Sequence, residues 1–235
     1  MLIGLAIVVA VWYLLSFLNP VVPPPHTILS YMLEIEKIGT HFFTTLYRIG
    51  SAFALSVLIG LFLGMAMGRF KTVEALLGSF VGFVLTIPAT IWAFLAFILF
   101  GVTTWSVIFV AMITTFPIVA FSITEGIKSR DVRYDEMADV FGFSRWKKIR
   151  RVFLPYLFPY IIGSARSAFG VGVKLIIIAE LIGTTVGAGL QLLYYYGMGM
   201  FVYVYSYAIL LIAIYVVFDL VIFGAIERYA TRWKR

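Results

Sequence analysis

Long, predominantly apolar stretches recur along the chain and are separated by shorter polar links. Six of them run from Leu2 to Leu18, Leu46 to Gly68, Ser79 to Phe100, Thr104 to Thr124, Tyr160 to Gly183 and Tyr203 to Ala225. A helix needs about 20 mostly apolar residues to cross about 30 Å of hydrocarbon. The stretches do not alternate with a period of two, which favours helices over a β-barrel. The pattern predicts an all-α integral membrane protein with six transmembrane helices.

The basic residues in the links predict the orientation of these helices, because lysine and arginine are retained on the cytoplasmic side of a membrane. The links after the first, third and fifth stretches contain a single lysine, Lys37, and no arginine. The turn after the second stretch contains Arg69 and Lys71, the link after the fourth contains eight basic residues, and the tail contains four. We therefore expect both termini to be cytoplasmic. Residues 1–20 lack the basic leading region and cleavage pattern of a signal peptide, so we expect a permanent first helix.

Composition excludes several classes of protein. With 63% hydrophobic and 12% charged residues, neither a soluble globular domain nor a disordered chain is expected. The chain has no cysteine and only two histidines, His26 and His41, so no metal site is predicted. The net charge of +7 could indicate a nucleic-acid partner, but the basic residues alternate with the membrane stretches. We therefore expect a lipid bilayer, and no nucleic acid, around this chain.

The link between the fourth and fifth stretches carries the most specific pattern. It reads RYDEMADVFGFSRWKKIRRVFLPYLFPYIIG over residues 133–163. Asp135 and Glu136 are suited to the first turn of a short helix, and Gly142 is suited to its end. This pattern predicts a compact helix-turn-helix on the cytoplasmic side. An ordinary solvated loop with arginines at the lipid headgroups is the alternative.

The spacing within this link resembles the EAA loop of binding-protein-dependent ABC importer permeases. That motif reads E-A-A, three residues, G, nine residues and I-x-L-P, and here Glu136, Ala138 and Gly142 are followed after nine residues by Val152 and Leu154-Pro155. Met137 replaces the first alanine and Val152 the isoleucine. The resemblance implies a type I importer permease fold with the loop at residues 128–159 and a cytoplasmic coupling helix between helices 4 and 5. It also implies an ATPase-coupling role for Asp135, Glu136, Met137, Ala138, Gly142, Phe143, Leu154 and Pro155.

Other segments resemble the branch of this family that includes nitrate, sulfonate and taurine permeases. They are Thr45–Gly68, Ile87–Gly101, Ser164–Gly183, Gly187–Leu193 and Ile226–Arg228. The resemblance implies a single permease domain over residues 1–235, with an N-terminal helix at 1–19 and a core at 40–228, in a prokaryotic inner membrane. It also implies cytoplasmic ABC ATPase subunits, a second permease copy and an extracytoplasmic solute-binding protein as partners. The tyrosine- and methionine-rich residues 196–205 depart from the branch, so no specific substrate is carried over.

The cargo implied by the branch is a nitrate-, sulfonate- or taurine-like anion or a vitamin-precursor-like compound. The chain contains no G-x-x-x-x-G-K-[ST] phosphate-binding loop. We therefore expect no enzyme activity and no cofactor in this chain, with ATP and Mg²⁺ bound by the partner ATPase. An ion-gradient-driven secondary transporter or channel is the alternative function. It would favour several midplane acids, whereas Glu180 is the one acid deep in a central stretch.

Charged residues within the apolar stretches are candidates for the translocation path, because burying charge in hydrocarbon costs about 2.5–3.5 kcal/mol on insertion scales. The candidates are Arg48, Arg166, Lys174 and Glu180. Arg166 and Glu180 lie about 21 Å apart along one helix and cannot pair. Lys174 is nearest the midplane, where it either lines a water-filled path or belongs to a buried ion pair. Arg48 and Asp219 are expected to snorkel from span ends, and Glu180 to reach headgroup water.

Small residues and prolines predict how the helices pack. Gly60, Gly64 and Gly68 recur every four residues in the second stretch and predict a close contact with another helix. Pro88 and Pro117 predict kinks in the third and fourth helices.

Overall fold

The structure is a computed structural model that describes residues 2–34, 38–131 and 133–230. Its helices are α1 (Leu2–Leu18), α2 (Pro25–Glu34), α3 (Ile38–Arg69), α4 (Lys71–Thr86), α5 (Ala89–Phe100), α6 (Thr104–Lys128), α7 (Arg133–Val140), α8 (Arg145–Lys148), α9 (Leu154–Gly183), α10 (Ala188–Gly197), α11 (Phe201–Val217) and α12 (Gly224–Ala230). Two π-helical turns, Ile149–Phe153 and Phe218–Phe223, join α8 to α9 and α11 to α12. The described residues contain no strand, and the predicted all-α fold is confirmed. Lys37, Arg232, Lys234 and Arg235, which the orientation prediction used, lie outside these ranges.

Four of the described helical units are long and apolar enough to cross a membrane: α3, α6, α8 with α9, and α11 with α12. A fifth is present if the bent pair of α4 and α5 forms one span. The first predicted span is the apolar helix α1, which has 17 residues. The six-span count therefore stays a prediction.

The third predicted span is two helices rather than one kinked helix. The axes of α4 and α5 differ by 98°, and the break falls at Ile87 and Pro88. Pro88 has no backbone N–H and disfavours a helical conformation in the residue before it, and Ile87 is extended with ψ 122°. Trp92 Nε1 donates to the carbonyl of Val84 across the bend at 3.3 Å. By contrast, α6 continues through Pro117.

The core of the molecule is a close packing of α3 against α6. A Cβ atom added at Gly64 would lie 2.6 Å from the carbonyl oxygen of Ala120 and 2.7 Å from Cβ of Ile123, and Gly60 and Gly68 are equally tight. The predicted glycine contact is therefore confirmed. Helix α9 packs on both α6 and α3 and completes this core.

A short helix, α10, lies in a segment that the sequence pattern treats as a plain link. It follows α9 after the turn 184–187 and packs against α9, α11 and α3. Tyr195 of α10 stacks on Tyr203 and Tyr207 of α11, with ring centroids 4.7 and 6.0 Å apart. Ten residues are too few to cross the membrane, so hydropathy alone does not reveal this helix.

Candidate functional site

Helix α7 ends in a glycine-centred cap. The backbone N–H of Phe143 donates to the carbonyl of Ala138, and the N–H of Gly142 donates to that of Asp139, both at 2.9 Å. This pair of hydrogen bonds is a Schellman motif, which needs a left-handed residue at the position of Gly142. The φ of Gly142 is 63°, a conformation that side chains with a Cβ rarely adopt. The predicted helix end at Gly142 is confirmed.

Two ion pairs hold α7 to the chain on either side of it. Asp135 in its first turn pairs with Arg130, which precedes the helix. Asp139 in its last turn pairs with Lys148 of α8. Each end of the helix thus has one ion pair to a neighbouring part of the chain.

The exposed surface of α7 carries both a charged side chain and apolar side chains. Val140 and Phe141 are 87% and 70% exposed at the tip of the helix, and the carboxylate of Glu136 is exposed beside them. Ala138 of the same helix is fully buried. The structure thus presents an apolar tip on a rigid support.

The predicted residues at the start of the fifth span lie behind α7. Leu154 and Pro155 begin α9 immediately after the π-helical turn. Pro155 of α9 and Met137 of α7 both line a cleft of about 510 Å³. Proline cannot donate to the preceding turn, which is consistent with an irregular turn at this position. The structure therefore brings the residues of the predicted EAA loop together on one side of the molecule.

Arg48 and Glu180 form a buried ion pair between α3 and α9. Arg48 Nη1 lies 2.7 Å from Glu180 Oε1, and the two residues are 3% and 0% exposed. The expectation that Arg48 snorkels and that Glu180 reaches headgroup water is wrong, because each satisfies the charge of the other inside the bundle. Breaking such a pair is costly, since it leaves a buried charge without compensation.

The turn after α9 and the start of α10 are built around this carboxylate. The backbone N–H of Gly189 donates to Glu180 Oε2 at 2.8 Å, and Thr45 Oγ1 donates to the same carboxylate at 2.9 Å. A Cβ atom at Gly187 would lie 2.4 Å from the carboxylate carbon, so only glycine fits there. Arg48 Nη1 also donates to the carbonyl of Val186 at 2.7 Å.

Sequence reasoning missed Thr45, Gly187 and Gly189 as partners of Glu180. The available signal was the GAGLQLL segment, which carried a family resemblance without a physical explanation. The structure provides that explanation, because both glycines admit the carboxylate to the backbone at the start of α10.

Arg166 and Asp219 form a second ion pair, between α9 and the π-helical turn after α11. Arg166 Nε lies 2.5 Å from Asp219 Oδ1, and a second guanidinium nitrogen lies 2.7 Å from Oδ2. This bidentate geometry suits guanidinium and carboxylate groups. Asp219 was expected to snorkel, and its pairing corrects that expectation. As predicted, Arg166 does not pair with Glu180.

Lys174 takes part in neither of these ion pairs. Its side chain is exposed on the surface of the single chain, and no carboxylate among the described residues lies within 4 Å of its Nζ. A buried pair with Glu180 within the same chain is therefore excluded, because Glu180 pairs with Arg48. Over the described ranges, no group of three or more histidine, aspartate or glutamate side chains is placed to hold a metal ion.

Comparisons with known proteins place this geometry in a family of membrane transport proteins. Residues 56–235 match the family described as the inner membrane component of binding-protein-dependent transport systems. The taurine transport system permease TauC of Escherichia coli (strain K12) is 30% identical over 79% of this chain and 72% of its own. The formylaminopyrimidine transport permease ThiX of Halalkalibacterium halodurans is 25% identical over 74% of this chain and 68% of its own.

A solved structure has the same fold. A chain of the MetNI methionine ABC transporter, in inward-facing conformations, superposes with a TM-score of 0.63 over 81% of this chain and 94% of its own, at 18% identity. The chain belongs to the family of inner membrane components of binding-protein-dependent transport systems, and its similarity to TauC supports the taurine and sulfonate branch. It is an ABC importer permease and a multi-pass inner membrane protein, and the gradient-driven alternative is not supported.

Proposed function

We propose that α7 is the coupling helix through which a cytoplasmic ABC ATPase drives this permease. The observation that carries the proposal is the exposed apolar tip of α7, Val140 and Phe141, at a helix end that the Gly142 cap fixes. A rigid apolar tip offers a partner area to cover without the entropy loss of ordering a loop. The same rigidity lets a displacement of the partner reach α9 through the short connection at Ser144.

The residues of the loop divide into two roles under this proposal. Glu136, Met137 and the tip contact the ATPase directly. The remaining residues hold the helix in place: Asp135 by its ion pair, Ala138 by its small size, Gly142 and Phe143 by the cap, and Leu154 and Pro155 by the start of α9.

The assembly that follows contains two copies of the permease, each engaging one ATPase subunit. ATP and Mg²⁺ bind to those ATPase subunits, and a solute-binding protein delivers cargo on the opposite side of the membrane. Both termini of the permease are cytoplasmic, on the same side as α7. Arg166, Arg48 and Glu180, first considered as path residues, act here as paired structural charges, while Lys174 remains a path residue.

The cargo is a small polar solute of the kind that the relatives carry. TauC and ThiX are named for taurine and for formylaminopyrimidine, so kinship allows a nitrate-, sulfonate- or taurine-like anion as well as a vitamin precursor. Calorimetric titration of the partner binding protein with taurine, with an alkyl sulfonate and with formylaminopyrimidine distinguishes them. Binding of taurine or the sulfonate, but not the pyrimidine, supports the anionic class, and the reverse result removes it.

Substitution at the tip of α7 tests the coupling role. Phe141→Asp places a charge where the ATPase is expected to bury an apolar group, while Phe141→Leu keeps the apolar character. We expect the wild type and the leucine variant to co-purify with stoichiometric ATPase and the aspartate variant to lose it. All three should elute as the same detergent-solubilised permease, because Phe141 is 70% exposed. Full retention of ATP hydrolysis in the aspartate complex would count against the proposal.

Cysteine labelling tests the orientation, since the chain has no native cysteine. The Arg133→Cys variant reports on which side of the membrane α7 lies, and the Thr185→Cys variant reports the same for the turn before α10. Both positions are exposed. A membrane-impermeant maleimide should label the Thr185→Cys variant in intact spheroplasts and the Arg133→Cys variant only after permeabilisation. The opposite pattern would show that α7 lies on the outer side of the membrane, where a cytoplasmic ATPase cannot contact it.

A further inference from the structure

One face of α9 is left uncovered by the rest of the chain. Gly163, Ser167, Val171, Lys174 and Ile178 are all exposed along it. At 100° and 1.5 Å per residue, Gly163, Ser167 and Lys174 lie within about 40° of one another and span about 16 Å of the helix axis. Gly163, Ser167 and Lys174 are small or polar, in contrast to the exposed leucines and phenylalanines of α3 and α5.

The cytoplasmic half of this face borders a groove of about 360 Å³ between α9 and α6. Three serine hydroxyl groups line it, from Ser122 on α6 and from Ser164 and Ser167 on α9. Tyr160 lines it too, and its own hydroxyl is hydrogen-bonded to Ser129. Each serine hydroxyl already donates to a carbonyl of α9: Ser122 and Ser164 to Tyr160 at 3.3 and 2.7 Å, and Ser167 to Gly163 at 3.0 Å. The hydroxyl oxygens can therefore accept hydrogen bonds from water, but they offer no strong donor that would hold an anion in place.

The charges within the membrane segments leave Lys174 uncompensated. Arg48 is neutralised by Glu180, and Arg166 by Asp219. In the interior of the described spans, Lys174 is thus the one ionised side chain without an opposite charge within 4 Å. Among the described residues of the spans, the uncompensated positive charge therefore lies on the uncovered face of α9.

The location of this charge restricts what can cover the face. A lysine near the bilayer midplane that faces lipid is unfavourable on insertion scales, and such residues usually face a water-filled cavity. If two copies are related by a two-fold axis, an interface on this face would bring two like charges together. Water and an anion between the two copies remove that repulsion.

We infer that the face of α9 bearing Gly163, Ser167 and Lys174 lines the passage, and that Lys174 makes the passage selective for a small anionic solute. The inference rests on the proposed function, which it deepens by naming the charge class of the cargo. The hydroxyl-lined groove lets the solute leave toward the cytoplasm, because its oxygens interact with water rather than with the anion.

Thiol reagents of opposite charge test this inference in a chain that has no cysteine of its own. Ser167→Cys places a thiol about 10 Å along the axis from Lys174 on the same face. The probes are sulfonatoethyl methanethiosulfonate, a small sulfonate anion, and its trimethylammonioethyl counterpart, a cation. Each forms a mixed disulfide with the introduced cysteine and releases methanesulfinate, so labelling rates report the local concentration of each reagent.

The expected effect follows from Coulomb's law. A unit charge at about 10 Å changes the local concentration of a monovalent ion about twofold even at the dielectric constant of water. Replacing Lys174 by glutamine should therefore lower the ratio of anion to cation labelling rates at the position 167 thiol at least about fourfold at low ionic strength. Lys174→Arg should preserve the ratio, and salt should reduce it.

A control cysteine on α3 and the Lys174 variants distinguish the possible outcomes of the labelling experiment. Phe62, which is 70% exposed on the apolar surface of α3, gives the control Phe62→Cys, whose thiol should react with neither reagent. If the thiol at position 167 is likewise unreactive, the face does not line an aqueous passage and the inference is overturned. If that thiol reacts but the ratio is unchanged in Lys174→Gln, the selectivity is overturned. Elution profiles and the charge-preserving arginine variant distinguish a lost charge from a misfolded chain.

The failure of this inference can be told apart from the failure of the proposed function. The same Ser167→Cys preparations should contain stoichiometric ATPase that hydrolyses ATP. Absence of the ATPase refutes the proposed function whatever the labelling pattern. Presence of the ATPase with an unreactive thiol at position 167 refutes only the passage along α9.

Discussion

Removing the charge of Glu180 should destabilise the protein strongly, because this carboxylate organises the junction of α3, α9 and α10. Its two oxygens accept hydrogen bonds from Arg48, Thr45 and the N–H of Gly189 at 2.7–2.9 Å. Glu180→Gln preserves the shape of the side chain but replaces one acceptor with an NH₂ group. In either orientation that NH₂ faces a donor, and Arg48 is left as a buried, unpaired charge.

The magnitude follows from the burial of the pair. Removing one partner of a buried ion pair costs about 3–5 kcal/mol. For a chain of this length, each kcal/mol corresponds to about 2–4 °C in melting temperature, so a fall of roughly 6–20 °C is expected. Arg48→Met with Glu180→Gln removes both charges, and we expect its loss to be smaller than the sum of the two single losses.

Fluorescence-detected size-exclusion chromatography of the detergent-solubilised protein after heating provides the assay. Glu125→Gln is the matched control, since the Glu125 side chain is 71% exposed and lies 4.0 Å from Lys128. A surface change of this kind stays within about 0.5 kcal/mol. The buried pair does not organise this junction if the Glu180→Gln variant has the melting temperature of the wild type. The same conclusion follows if the melting temperature of the double variant falls by the full sum of the two single falls.

Three further substitutions test other contacts by the same melting assay. Gly64→Leu places carbon atoms within 3 Å of α6 and should cost at least about 1–3 kcal/mol, while Gly50→Leu, with no atom within 4 Å of an added Cβ, should change little; equal effects would refute the glycine contact. Asp219→Asn should lower the melting temperature less than Glu180→Gln, since the Arg166 side chain is 41% exposed, and a larger fall would contradict this ranking. Lys128→Met removes an exposed ion pair and should leave the melting temperature unchanged, so a clear fall would show that the pair is structural.

Local sequence patterns predicted the parts of this fold that depend on neighbours along the chain. The acidic first turn and Gly142 defined both ends of α7, because helix caps involve residues only a few positions apart. Glycines at every fourth position predicted a close helix contact, because that spacing places them on one face of α3. The partner helix, α6, could not be predicted from that spacing.

The partners of the membrane charges depended on contacts between distant segments. Arg48 and Glu180 are 132 residues apart, and the helical angle of each residue does not indicate which helix it faces. Their positions near span ends therefore suggested snorkelling, although tertiary packing buries both. The helix α10 was missed for a similar reason, since ten residues gain stability as a helix here only by packing on α9 and around Glu180.

Photo-crosslinking from the tip of α7 is the most direct measurement of the central claim. A benzoylphenylalanine residue at position 141 of the assembled transporter should form an adduct with the ATPase subunit on illumination. The same residue at position 29, where Leu29 is 64% exposed on α2, should form no adduct with the ATPase. An adduct from position 29 and none from position 141, in a complex that hydrolyses ATP, would contradict the account.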